Sequence, residues 1–205
     1  MMLNSEEKKL IAKEIEELEQ SSSAELIAVI TQKSSNYKYA SLMVSIFFVF
    51  LISFILFFLK EISTLELLQY QLLIFVGINL LLKKFNNFIL NIIPQSYKHK
   101  KASLHAKRQF NNLGISRTKT KQAIMFFVSL DEKYVKILTD SEISKKIPNE
   151  FWQQLVFEFT EDVKREDFVN GYLKALKTSK AILIKHFPIK NNDENELSDE
   201  VIELK

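Results

Sequence analysis

Few side chains in this 205-residue chain are equipped for chemistry, and their spacing narrows the choices further. There is no cysteine, which excludes disulfides and thiolate metal sites. The three histidines, His99, His105 and His186, show neither the i, i+4 nor the HExxH spacing that brings two imidazoles to one metal. The three glycines, Gly77, Gly114 and Gly171, are too dispersed to form a phosphate-cradling loop. No GxSxG nucleophile elbow is present. Asp131, Asp140 and Glu142 remain, at or near the ends of predicted strands, where loops on a sheet collect function. These are the acidic candidates for a metal. Their ordinary alternative is structural: Asp131 as a turn residue, Asp140 with Glu142 as a cap on the next segment. The residue types therefore supply no catalytic side chain, no metal ligand set and no cofactor site.

A second candidate is the basic run Tyr97 to Arg108, YKHKKASLHAKR. Lysine and arginine neutralise phosphates of any nucleic acid. Beside a membrane segment, however, such residues set orientation and attract anionic headgroups at about 1 kcal/mol each. Its position favours topology and lipid, so no nucleic-acid partner is expected.

The elements that must position these residues are dominated by Ala40 to Leu59, ASLMVSIFFVFLISFILFFL, which has no charge, proline or glycine. As a helix at about 1.5 Å per residue it spans about 30 Å, the thickness of bilayer hydrocarbon. A helix apolar on all sides needs lipid or a large protein around it. After KEISTLE comes Leu67 to Leu82, LLQYQLLIFVGINLLL, shorter and interrupted by Gln69, Gln71 and Asn79. It is expected to recruit flanking residues or to turn its amides toward the first span.

Around this hairpin the chain has a soluble pattern. Asn4 and Glu7 have the form of a capping pair ahead of Ile11, Ile15 and Leu18, and this acidic, amphipathic N-terminus does not read as a secretory signal. Ala24 to Thr31 reads as a buried strand. Ala123 to Leu130 and Tyr134 to Thr139 read as a hairpin turned at Asp131-Glu132-Lys133. Two strands and a helix are marginal, so the strand at 24–31 is expected to join them. Both flanks of the insert then lie on one side of the membrane, and the number of crossings is even. Residues 83–121 contain ten lysines and arginines and no acid, against one lysine and two glutamates in KEISTLE. The positive-inside rule places the soluble part in the cytoplasm.

Phe85 to Ile93, FNNFILNII, suggests an interfacial segment, and Ser103 to Leu113 a helix stopped at Gly114. Trp152, Leu155, Val156, Phe159 and Val163, then Phe168, Tyr172, Leu176, Ser179 and Leu183, mark two amphipathic helices for packing on a sheet. The acidic tail, 189–205, is expected to be disordered.

SSSAELIAVIT, GISRTKTKQAIMFFVSLDEKYVKILTD, the tryptophan helix from Phe151 and DFVNGYLKALK, in this order, resemble the TPM domain family, named for thylakoid-lumen, photosystem-repair and receptor-modulating members. The likeness is greatest to a bacterial subgroup with a transmembrane hairpin inserted after the first strand. It implies an α/β fold, a small sheet with helices on both faces, interrupted by the hairpin. The domain then comprises 1–39 and 97–188, the spans run Ala40 to Leu59 and Leu67 to Leu82, and 83–96 lies at the interface. Some relatives are regarded as acid phosphatases and some bind divalent metal. Those members typically carry a V-x-D segment before the first helix, where this chain has MMLNSEEKK without aspartate. No catalytic residue is therefore carried over. The expected protein is a multi-pass inner-membrane one whose cytoplasmic domain works as a non-catalytic interaction or assembly module through protein partners. The alternative is a membrane-tethered, metal-dependent phosphatase using Asp140 or Glu142.

Overall fold

Alternation along two strands decides how the soluble part is layered. Leu26, Ala28 and Ile30, with Ile124, Phe126 and Val128, enter one core, while Ile27 and Val29, with Ala123, Met125 and Phe127, enter a second. Successive strand side chains point to opposite faces, so continuous apolarity in both strands requires cover on both sides. The computed structural model describes residues 3–59, 63–84, 90–190 and 195–204.

In chain order the elements are α1 (Ser5–Glu19), β1 (Glu25–Thr31), α2 (Lys38–Leu59), α3 (Thr64–Lys84), α4 (Gln95–Asn112), a 3-10 turn (Ile115–Arg117), β2 (Ala123–Ser129), β3 (Tyr134–Thr139), α5 (Ser141–Lys146), α6 (Asn149–Lys164), α7 (Phe168–His186) and β4 (Ile202–Leu204). They form two compact units, Met1–Ser34 with His99–Lys205, and Ser35–Lys98.

The first unit holds a sheet of order β3-β2-β1-β4. β1 runs parallel to β2, Glu25 opposite Ala123 through Thr31 opposite Ser129, and β2 turns back antiparallel into β3. The strand at 24–31 thus joins the hairpin as expected. α1, α6 and α7 cover one face with Ile11, Ile15, Leu18, Trp152, Phe159, Tyr172 and Leu183. On the other face lie Ala106 of α4 and Ile115 of the 3-10 turn. The Asn4/Glu7 box is formed: the Glu7 N–H donates to Asn4 Oδ1 at 2.8 Å, and the Asn4 N–H to Glu7 Oε2 at 2.7 Å. α4 ends at Gly114, whose φ of 73° is the left-handed conformation that favours glycine.

Two readings need correction. The tail expected to be disordered supplies β4, parallel to β1 with Val29 opposite Ile202 and Thr31 opposite Leu204. The reason is local: β1 would otherwise be an open edge, and Leu197, Ile202 and Leu204 carry the second core across it. The expected helix at 103–113 begins earlier, at Gln95, directly after Pro94, a residue suited to the start of a helix.

α2 and α3 of the second unit pack on each other and are both long and apolar enough to cross a bilayer. Most of their surface is exposed, including Phe47, Phe50, Phe54 and Phe57. α2 turns its small residues inward. Ser45 and Ser53 are buried and donate to the Ser41 and Val49 carbonyls of their own helix at 3.0 and 2.7 Å. α3 extends beyond Leu67 and Leu82 to Thr64 and Lys84, recruiting flanking residues. Asn79 satisfies itself: its Nδ2 donates to the Phe75 carbonyl at 2.8 Å. Most of KEISTLE's first half (60–62) and of the interfacial segment (85–89) lie outside the described residues.

Candidate functional site

The carboxyl end of a parallel strand pair is where open α/β sheets bind ligands, and here it is filled by the protein's own groups. Glu132, 1% exposed, accepts the Ser34 N–H at 3.0 Å through Oε1 and 3.2 Å through Oε2. The Ser129 hydroxyl at the end of β2 donates to Oε2 of the same carboxylate, and Ser34 Oγ lies 2.6 Å from Ser129 Oγ. Asp131, the turn residue, accepts the Gln32 amide, and its N–H donates to the Gln32 carbonyl at 2.9 Å. The acids of this turn therefore tie β1's exit to the β2–β3 hairpin.

Asp140 and Glu142 lie at the opposite end of β3. Six residues of strand separate them from the turn, about 20 Å, so Asp131 cannot share an ion with them. Asp140 is the N-cap of α5, its Oδ1 accepting the Ser141 N–H at 2.7 Å. Its Oδ2 is buried with no hydrogen-bond partner among the described residues. Glu142 is ion-paired to Lys145 at 2.6 Å, and that hydrogen bond holds its carboxyl below the usual range. Among the described residues no three His, Asp or Glu side chains converge in the way a metal ion needs.

The histidines are dispersed. His99 lies tilted against Tyr134 at 5.0 Å between ring centres, and the His186 carbonyl accepts from Lys146. His105 packs edge-on to Phe127 at 5.7 Å and faces the Gln109 amide at 3.0 Å through Nε2. Burial, and then Arg108, lower its pKa, favouring the neutral ring. The exposed side of α4 carries Lys100, Lys107 and Arg108 around Leu104. Across from it Lys136 of β3 donates to Ser103 Oγ at 2.6 Å, and burial, with Lys107 nearby, lowers its pKa.

One acidic cluster was not anticipated. Glu19 at the end of α1 accepts the Leu26 N–H at 2.8 Å and the Asn195 amide at 3.1 Å. Desolvation, with Asp199 and Glu25 close by, pushes its carboxyl up to about 9. Glu25, 6% exposed, accepts the Glu196 and Leu197 N–H groups, each at 3.2 Å. These acids anchor the tail that becomes β4. In sequence Glu19 looks like one more glutamate of a solvated helix, and nothing in its spacing marks it as half-buried.

A small mixed sheet with helices on both faces defines the class: an α/β sandwich interrupted by two apolar helices. The chain carries a TPM domain, since the family model of that description matches residues 83–182. The NMR structure of BA42 protein from the psychrophilic bacterium Bizionia argentinensis shares the fold. Its TM-score is 0.60 at 17% identity, covering 99% of this chain and 96% of that one. No curated protein matches the chain. The FVNGY stretch that carried the resemblance has a packing role. A Cβ on Gly171 would meet Phe159 Cδ2 at 2.9 Å, and the buried Tyr172 hydroxyl lies 3.2 Å from the Phe126 carbonyl and 3.3 Å from that of Val29.

Proposed function

We propose that this is an inner-membrane TPM-domain protein in which α2 and α3 cross the bilayer as a hairpin. The domain faces the cytoplasm and acts as a non-catalytic interaction or assembly module. One observation carries the proposal: the apolar surface of α2 and α3 is left outward, while Glu132, Glu142 and one oxygen of Asp140 are engaged in the fold's own hydrogen bonds and ion pairs. Only 11% and 6% of the most apolar stretches of α2 and α3 are buried, and lipid is the solvent that such helices fit. The excess of lysine and arginine in 83–121 supports the cytoplasmic side. The partner is a protein at the membrane or in the cytoplasm, engaged by the domain's surface.

A reporter fused within the loop before Thr64 tests the topology. Activity of a periplasm-dependent reporter is expected there, and a cytoplasm-dependent reporter is expected to work when fused after Leu204. The opposite pattern would overturn the orientation.

The rival reading, a membrane-tethered metal-dependent phosphatase, rests on the partnerless Asp140 Oδ2. Thermal stabilisation of the detergent-purified protein by magnesium, calcium or manganese, lost in Asp140→Ala, would favour it. Mass action gives about 2.7 kcal/mol at a hundredfold excess over the dissociation constant.

A further inference from the structure

Within the second unit, one end of the α2–α3 pair carries a cavity of about 780 Å³ whose lining changes character along its length. At the mouth stand Lys38, in the first turn of α2, and Lys83, in the last turn of α3, with Asn36 beside them. Neither lysine has a hydrogen-bond or ion-pair partner among the described residues. Deeper in, the wall becomes Leu42, Phe75, Val76 and Leu80, and polar groups return only as Ser41 and Asn79. Phe75 lies eight residues from Lys83, so the apolar wall runs about 12 Å into the hairpin.

We infer that this groove holds one anionic phospholipid, its phosphate between Lys38 and Lys83 and an acyl chain against Val76, Leu80 and Phe75. The inference rests on the membrane-spanning reading above and names its ligand. Charge complementarity selects the headgroup: two lysines with no partner among the described residues line one end of the groove, and no acid lines it. A zwitterionic headgroup gains less there, because its own ammonium is repelled. The apolar wall selects a lipid over a soluble anion, since phosphate alone would leave Leu42, Val76 and Leu80 uncovered. Asn79 suits the boundary between headgroup and chain: its Nδ2 gives one hydrogen to the Phe75 carbonyl, which leaves the other to donate to an acyl ester carbonyl.

Native mass spectrometry of the delipidated full chain tests this, with equimolar phosphatidylglycerol and phosphatidylcholine of identical chains. Wild type is expected to retain the anionic lipid by about tenfold or more over the neutral one. Lys38→Gln/Lys83→Gln should bring the ratio near one, while Lys107→Gln/Arg108→Gln, an equal loss of charge on the other unit, should leave it unchanged. Val76→Trp, which fills the groove, should lower retention of both lipids. Equal retention of the two lipids by wild type would overturn the inference. So would an equal effect of the two charge variants, or displacement of the anionic lipid by millimolar inorganic phosphate, which would mark a site for soluble anions. Carbonate extraction of cell membranes separates the two claims. A chain that stays in the membrane without lipid preference sinks the groove alone, whereas a chain released by carbonate sinks the membrane reading itself.

Discussion

Glu132, in the turn after β2, accepts the backbone N–H of Ser34, just beyond β1, through both oxygens of its carboxylate. A buried anion is retained because donors surround it, and removing it strands them. Glu132→Ala leaves the Ser34 N–H and the Ser129 hydroxyl without their acceptor and should cost about 3 kcal/mol. Melting of the detergent-purified protein should fall by roughly 10 °C. Glu132→Gln retains one acceptor oxygen and should lose less. Equal melting of wild type and Glu132→Ala would refute the role given to this pair.

Glu19 makes the tail's attachment sensitive to pH. Its folded-state pKa of about 9 lies above the ordinary 4.5, so the folded chain holds this proton more tightly than the unfolded chain. The contribution is complete below about pH 4.5 and declines as pH rises through 9. Glu19→Gln, which cannot ionise, should flatten that part of the stability profile. Urea midpoints measured in steps across the interval would show it, and parallel profiles for the two proteins would count against it.

Gly171 and Tyr172 fix α7 against α6 and the sheet. Gly171→Ala forces a methyl group to within 3.0 Å of Phe159 and Asp162, an overpacking that should cost about 1–3 kcal/mol. Tyr172→Phe removes a hydroxyl that reaches strand carbonyls and should cost about 1 kcal/mol. Chemical denaturation of each variant checks the ranking, Gly171→Ala being the more severe.

Deleting residues 195–204 removes β4 and opens the edge of β1. Exposed edges pair with other chains, so the truncated protein should associate with rising concentration at constant detergent, as read by light scattering. Unchanged mass across the range would mean that β1 is protected by other means.

Most helices and the first three strands were legible because their signals are local: two long apolar runs, a capping box, short continuous apolar runs of strand length and amphipathic stripes at helical spacing. The two long apolar helices needed only length and composition to be read. Three features were not legible, for one shared reason. β4 contributes three residues within an acidic segment, too short for periodicity, and its strand character comes from the vacant edge of β1. Glu132 and Glu19 look like turn and surface acids until residues Ser34 and Asn195, distant in sequence, meet them. Asp140, by contrast, was readable as a cap from its place before a short helix, and it is one.

The parallel pairing of Glu25–Thr31 with Ala123–Ser129 has a consequence for how the protein is made. A ribosome delivers β1 long before β2, and the residues between them include both apolar helices. β1 therefore waits without its central neighbour until both apolar helices have been made, and the sheet closes only after that step. Late pairing of distant segments is slow and leaves adhesive surface in the open meanwhile. Biogenesis of this protein is thus ordered by its topology, with both apolar helices made before the domain can be completed.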